Sequence, residues 1–338
     1  YPLRETLRRR RPNDDHRLHA HTNGGNLGNY KAGLLSSRAL AQRSFKQSEE
    51  QLKVAVDHHI NTIMNEVGTD IQFISPRPFQ LMHSETPSKI VHYYCEASND
   101  VDAMTVKIAP DRYRAVASIP QVPNEPVKTW IPELERCVNE LGMIGLIINP
   151  DPWEGRDIFP GMGDEVWFPL YEKMVELDVP ALIHSATTVN PWDYYQNYFI
   201  TTETSCILQM VEKRVFQTFP NLKIVVAHGG GSIPYQIGRF QSSTIMHTGP
   251  GERFLDGVRK LYYDTVLYTE GAMRLLIETV GPERCLFGAE CPGVGSAVNP
   301  KTGETFDNIR PIIEKFDWLS AAQKKMIFED NARKVFRL

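Results

Sequence analysis

His19 and His21 stand two residues apart in "HRLHAHTNGG", and His184 and His228 each close an apolar run, "VPALIHS" and "KIVVAH". Glu290 ends a fourth such segment, "RCLFGAE". Two histidines separated by one residue on a strand point to the same face. Joined by a third imidazole and a carboxylate, they form a donor set of intermediate hardness, suited to zinc or manganese. His228 differs in being followed by three glycines. Glycines let the backbone pass close to a ligand and leave N–H groups at the start of a helix expected from about Ser232, where negative charge is favoured. An imidazole there can move protons near neutral pH. Arg239, two turns into that helix, is placed to grip a carboxylate.

Each piece taken alone has a plainer reading. A lone strand-end histidine is more often a packed structural residue, His228 can be a packed ring in a tight turn, and Arg239 can form a surface ion pair. Agreement at four different strand ends favours the metal site. The other histidines do not join the pattern: His58 and His59 fall in a helical stretch, His83 and His92 in loop or helix, His247 after a helix, and His16 off the strand parity of His19 and His21.

The elements that must position these residues are β-rich apolar runs separated by helical patterns. The runs are "IQFIS" (71–75), "YRAVASI" (113–119), "MIGLIIN" (143–149), "VPALIHS" (179–185), "KIVVAH" (223–228), "LYYDTVLY" (261–268) and "RCLFGAE" (284–290). Between two of them, "PELERCVNELG" has Pro132 for a first helical turn, Gly142 for the stop, and Leu134, Cys137, Val138 and Leu141 on one face. Near-continuous apolar strands alternating with amphipathic helices imply an α/β fold whose parallel sheet is covered on both sides. With a first strand around 17–21 the count reaches about eight βα units, the number that closes a TIM-like (β/α)8 barrel. The expected organisation is an N-terminal arm (1–15) and one barrel domain (16–338), with an insertion after the first strand (22–70), mostly helical from about Ser37 to Glu66. An open doubly wound sheet is disfavoured because no glycine-rich dinucleotide fingerprint follows an early strand.

Bulk properties narrow the function. A formal net charge of −4 gives no case for nucleic acid as a partner. No apolar run approaches the ~18 residues that span a bilayer, and the start, "YPLRETLRRRR", has no apolar core of a signal peptide. The chain does not begin with Met, so further upstream residues are expected; Arg8 to Arg11 read as a solvated arm. Five cysteines, odd in number and without a CxxC pair, point to reduced thiols and a cytoplasmic protein. Cys137 and Cys285 are expected in the core.

The HxH of His19 and His21, His184, "HGGG" and the carboxylate of Glu290 resemble the amidohydrolase superfamily. More closely they resemble its aminocarboxymuconate-semialdehyde decarboxylase branch and, within it, the 4-oxalomesaconate hydratases. "IPELERCVNELG", "INPDP", "YEKMVELDVPALIH", "HGGGSIPYQIGRF", "YYDT", "EDNARKVF" and the "SPR" of Ser75 to Arg77 carry the likeness over residues 70–338. It implies a distorted barrel with one divalent metal, usually zinc, held by His19, His21 and His184. Glu290 joins as a ligand or reaches the metal's water as a base, and His228 is the neighbouring acid or base. Arg77, Asn149, Asn190, Tyr235 and Arg239 are expected to contact a small carboxylated substrate, in a homo-oligomer expected to be a dimer. The family's usual apolar first strand is replaced by "NDDHRLHAH", and Gln236, Gln241, Thr269 and Ser296 stand where the hydratases carry basic or imidazole side chains. Losing several charged hydrogen bonds, each worth about 1.5–3 kcal/mol, points to a less anionic substrate than 4-oxalomesaconate.

Three chemistries suit such a site: hydration of a conjugated C=C bond, non-oxidative decarboxylation of a hydroxylated aromatic acid, and metal-assisted hydrolysis. A metal-holding binding protein without turnover is the non-enzymatic alternative. The ligand assignment makes a direct prediction. His19→Ala is expected to lose most of its metal while keeping its far-UV circular dichroism; full metal content in that variant would refute the assignment.

Overall fold

In the computed structural model, the described residues are two strand pieces, 16–17 and 21–22, and residues 48–76, 81–249, 254–291 and 293–338. The expected N-terminal arm, His19, Arg77 and the first part of the expected insertion helix lie outside them. His21 is described only as a strand residue.

Among the described residues nine strand segments follow one another: β1 (His16–Arg17), β2 (His21–Thr22), β3 (Ile71–Pro76), β4 (Tyr113–Ala115), β5 (Leu146–Ile148), β6 (Ala181–Ile183), β7 (Ile224–Val226), β8 (Tyr262–Asp264) and β9 (Cys285–Leu286). Every strand pair is parallel. β1 and β2 pair with the same strand, β3, through His16–Ile71 and His21–Ser75. β5 to β9 form one ladder in chain order. The two groups meet where Ala117 bridges Leu146, with Ala117 N–H donating to Gly145 (2.8 Å) and Ile147 N–H to Ala117 (2.8 Å). From β3 to β9, spatial order therefore follows chain order, without the reversal that defines a doubly wound sheet.

Parallel neighbours need crossovers, and each carries a helix. They are α2 (Lys89–Ile108), α3 (Ile131–Asn139), α4 (Phe168–Leu177), α5 (Tyr195–Glu212), α6 (Ile233–Thr248) and α7 (Glu270–Val280). Before β3, α1 (Glu49–His59) starts at a capping box in which Ser48 and Gln51 hold each other's backbone N–H. The helical run continues through 60–67 and stops at Gly68 (φ 75°), close to the expected end at Glu66.

Burial alternates along the strands in a way that explains their unbroken apolar runs. Leu146, Ile148, Ala181, Ile183, Ile224 and Val226 face the large core shared with the helices. The residues between them, Ile147, Leu182 and Val225, join Phe73, Val116, Tyr262 and Leu286 in a second, smaller cluster. β3 to β9 thus send side chains to one common centre. Ala332, Val335 and Phe336 of the C-terminal helix α8 (Asn331–Phe336) fill it from one end. The paired segments are shorter than the apolar runs because the chain leaves the ladder while still buried: Asn149, His184, His228 and Thr265 all follow the last paired residue and remain covered.

"EDNARKVF" has a concrete task in this arrangement. Asn331, 4% exposed, donates from Nδ2 to the carbonyls of Pro282 (2.8 Å) and Cys285 (2.7 Å), fastening α8 to the start of β9. Asn331→Ala leaves two buried carbonyls without that donor. It is expected to cost about 2–4 kcal/mol, read as a lower urea midpoint at unchanged m-value.

Candidate active site

His184 and His228 follow adjacent strands, β6 and β7, whose register pairs Ile183 with Val226. Both are buried, at 2% and 8% exposure, and their ring centroids lie 4.8 Å apart at 67°. Phe199 of α5 stacks on His228 (5.7 Å, 3°) and meets the edge of His184 (5.2 Å), covering the pair with an apolar wall. His184 Nδ1 lies 2.6 Å from the Ser185 carbonyl. A carbonyl only accepts, so Nδ1 carries the proton and Nε2 the lone pair, the form in which histidine binds metals.

The turn after β7 is built on left-handed backbone. His228 itself has φ 51°, and Gly229, Gly230 and Gly231 have φ 62°, 77° and 65°. A side chain at Gly231 would meet Thr204 Oγ1 at 2.4 Å and the Ile200 carbonyl at 2.5 Å, so α5 can lie against the turn only because glycine is there. The turn's N–H groups are committed within the protein. Gly229 N–H donates to Asp264 Oδ1 (3.2 Å), Gly230 N–H to Ala227 and Gly231 N–H to His228. The side chain met by the Gly229 N–H is that of Asp264, at the end of β8.

Opposite the ring sits Glu203 of α5, fully buried, with its carboxylate oxygens 3.0 and 3.1 Å from His228 Nδ1. Its Oε1 also accepts from the Ser185 N–H (3.3 Å). Burial pulls the His228 pKa down, but Glu203 above all, then Asp264 and Glu290, outweigh it and raise the value to about 9. Burial raises the Glu203 carboxyl, opposed by His228. A cation bound nearby would counter the upward shift on His228. Glu290 adopts φ 54° after β9, and the Tyr268 hydroxyl donates to its Oε2 at 2.7 Å. His228 and Glu290 thus both adopt left-handed backbone just beyond the C-terminal end of a strand.

The other expected residues are distributed differently. Asn149 is buried and its amide is fully engaged. Nδ2 donates to the Asp151 carbonyl (2.8 Å) and lies 3.2 Å from His83 Nδ1, while Oδ1 accepts from Asp151 and Ala186 N–H. It organises the loop after β5. Asn190 caps its own turn, donating to Asp193 and accepting from Trp192 N–H. Tyr235 and Arg239 are exposed on α6. Gln241 accepts from Leu255 N–H, Thr269 caps α7, and Ser296 donates to Asp307, so three of the four uncharged replacements hold local structure. Among the described residues no three His, Cys, Asp or Glu side chains gather as a ligand set.

Glu203, Asp264, Phe199 and Tyr268 are absent from the expected site. Asp264 lies within "YYDT", a motif noted but given no role. Glu203 had a usable signal, being the one charged residue between Tyr195 and Val211. Nothing in the pattern marks Phe199 or Tyr268, because their contacts join different crossovers.

The sequence profile of the family described as Amidohydrolase matches residues 54–338. A 2-keto-4-carboxy-3-hexenedioate hydratase from Sphingobium sp. is 34% identical over 292 residues, 86% of this chain and 84% of that one. The crystal structure of 4-oxalomesaconate hydratase from Rhodopseudomonas palustris superposes with a TM-score of 0.84 at 29% identity, covering 96% and 95% of the two chains. A dihydroxybenzoic acid decarboxylase from Polaromonas sp., holding manganese and the inhibitor 2-nitroresorcinol, has the same fold, with a TM-score of 0.71 at 22% identity and coverage of 96% and 97%.

His83 links this end of the molecule to pH. Burial, opposed by the Ile119 carbonyl, lowers its pKa from 6.5 to about 3. The folded value lies below the unfolded one, so its contribution is complete above pH 6.5 and is lost as pH falls from 6.5 towards 3, at up to about 1.4 kcal/mol per unit. His83→Asn removes the titration. Between pH 6 and 5 its stability is expected to fall by about 1 kcal/mol less than that of wild type, measured by urea unfolding.

Proposed function

This chain belongs to the amidohydrolase family, and from that premise we propose a metal-dependent lyase that adds water to a small unsaturated carboxylated compound. The observation that carries the reading is the His184–His228 pair at adjacent strand ends, one ring with its lone-pair nitrogen set by a carbonyl and the other braced by a carboxylate. The described chain, with β3 to β9 packing on one centre, is read as a closed single-domain barrel spanning 16–338, preceded by the arm 1–15 and interrupted by the helical insertion.

His19, His21 and His184 are assigned to a divalent cation, zinc in the first instance and manganese in the second. The nitrogen chemistry of His184 fits such a ligand. Glu290, with Oε2 held by Tyr268, offers its other oxygen to the cation or to the proton of the attacking water. When bound, the cation supplies Lewis acidity that polarises a substrate oxygen. His228 accepts a proton from water as the water oxygen bonds one carbon of the C=C, and returns a proton to the other. Asn149 and Asn190 shape the loops beside the substrate, while Arg77, Tyr235 and Arg239 are assigned to its carboxylate. The substrate is read as less anionic than 4-oxalomesaconate, and the protein as a cytoplasmic homodimer. Among the described residues no helix is long and apolar enough to cross a membrane.

The test is turnover by the metal-loaded protein of unsaturated keto acids and hydroxybenzoates, following UV absorbance and CO2. Loss of absorbance without CO2 is expected. CO2 release marks a decarboxylase, hydrolysis products a hydrolase, and no turnover a binding protein; each overturns the hydratase reading. His228→Asn is expected to lower kcat by about 10²–10⁴-fold with metal content unchanged.

A further inference from the structure

Glu203 is a carboxyl group placed inside the core, and its surroundings state what it is for. It sits at 0% exposure on a helix whose other residues from Tyr195 to Val211 are uncharged. Its carboxylate spans His228 Nδ1 with both oxygens and takes one further hydrogen bond, from Ser185 N–H, next to His184 in sequence. Burying such a pair costs more in lost hydration than a well-packed apolar pair would, so stability alone does not account for it. α5 is itself fixed against the turn. Thr204, the next residue, accepts from Ser232 N–H (2.9 Å) at the start of α6, and the absence of a side chain at Gly231 lets the two come together. Asp264 grips Gly229 N–H from the other side. The His228 ring and the backbone N–H of the next residue, Gly229, are thus held by two carboxyl groups from two different elements.

We infer that Glu203 is the positioning residue for His228. By accepting the Nδ1 proton it selects one tautomer and one ring orientation, turning Nε2 towards the reacting atoms. A carboxylate only accepts, so the neutral ring beside it must carry its proton on Nδ1 and its lone pair on Nε2. Nε2 is then the atom that takes up and returns the proton. Glu203 acts through the ring and does not itself touch the substrate. Without it, both tautomers become accessible and the ring is free to turn about its χ angles, and a large share of acid–base competence is lost while the substrate's binding groups stay in place. This inference rests on the proposed acid–base role of His228.

The experiment compares wild type, Glu203→Gln and Glu203→Asp as full-length, metal-loaded proteins. Imidazole 15N spectra give the tautomers, with His228 assigned by its disappearance in His228→Asn. Recorded at a pH above the His228 pKa, where the ring is neutral, wild type is expected to carry the His228 proton at Nδ1. In Glu203→Gln, whose amide both donates and accepts, the Nε2–H form is expected to appear. On an unsaturated keto acid that wild type hydrates, kcat of Glu203→Gln is expected to fall about 10²–10⁴-fold, with KM and metal per chain within about twofold of wild type. Glu203→Asp keeps the acceptor and is expected to recover part of kcat. A bare Nδ1 in wild type, an unchanged tautomer in Glu203→Gln, or a kcat within about threefold of wild type would overturn the inference. If wild type hydrates none of the compounds, the proposed function fails, while the 15N spectra still decide the role of Glu203. If Glu203→Gln does not fold, the wild-type tautomer and Glu203→Asp decide it.

Discussion

The hydrogen-bonded pair of His228 and Glu203 organises this end of the molecule, because a buried carboxyl group tolerates little freedom in what surrounds it. A carboxylate with no exposure must be met by donors at hydrogen-bond distance, or it shifts its pKa and neutralises. Here the donors are a ring nitrogen after β7 and a backbone N–H after β6. That requirement ties α5 to two strand ends at once and sets the separation at which His184 and His228 face each other.

The glycine turn follows from the same constraint. For α5 to bring Glu203 within 3.0 Å of the ring, its backbone must lie almost on the chain that leaves β7. Any side chain at Gly231 would occupy the place of Thr204 Oγ1 and the Ile200 carbonyl. Left-handed backbone extends back to His228, where an ordinary residue bears it. Asp264 and Gly229 close the structure from the β8 side. The polar residues are concentrated where the strands have left their ladder but remain under the helices, which is how a parallel α/β scaffold keeps charged groups both buried and hydrogen-bonded.

Below this layer the molecule is conventional in its energetics. β3 to β9 bury both faces, one against the helices and one against the small cluster stopped by α8. Gln72 carries a second tie across the order, its amide donating to the Cys291 carbonyl beyond β9 (2.9 Å) while His59 Nε2 lies 2.8 Å from its Oε1. Among the described residues no backbone ladder joins β9 to β1 or β2. The cysteines fit the apolar pattern: none of the five is in a disulfide, and all are buried.

Periodicity and composition were enough to establish the parallel α/β alternation, the crossover helix between Pro132 and Gly142, the strand-end placement of His184, His228 and Glu290, and the start of α6. These are local properties, dictated by which side chains must leave water and where the backbone can turn. The partners of those residues were not legible, because Glu203, Phe199, Asp264 and Tyr268 reach the site from crossovers and strand ends distant in sequence. The Asn149 motif shows the same limit from the other direction: its position beside the site could be read, but the engagement of its whole amide with Asp151, Ala186 and His83 is visible only once three loops are brought together. A single sequence records which groups need a partner. Which partner meets them depends on packing between elements, and that is decided only when the chain has closed on itself.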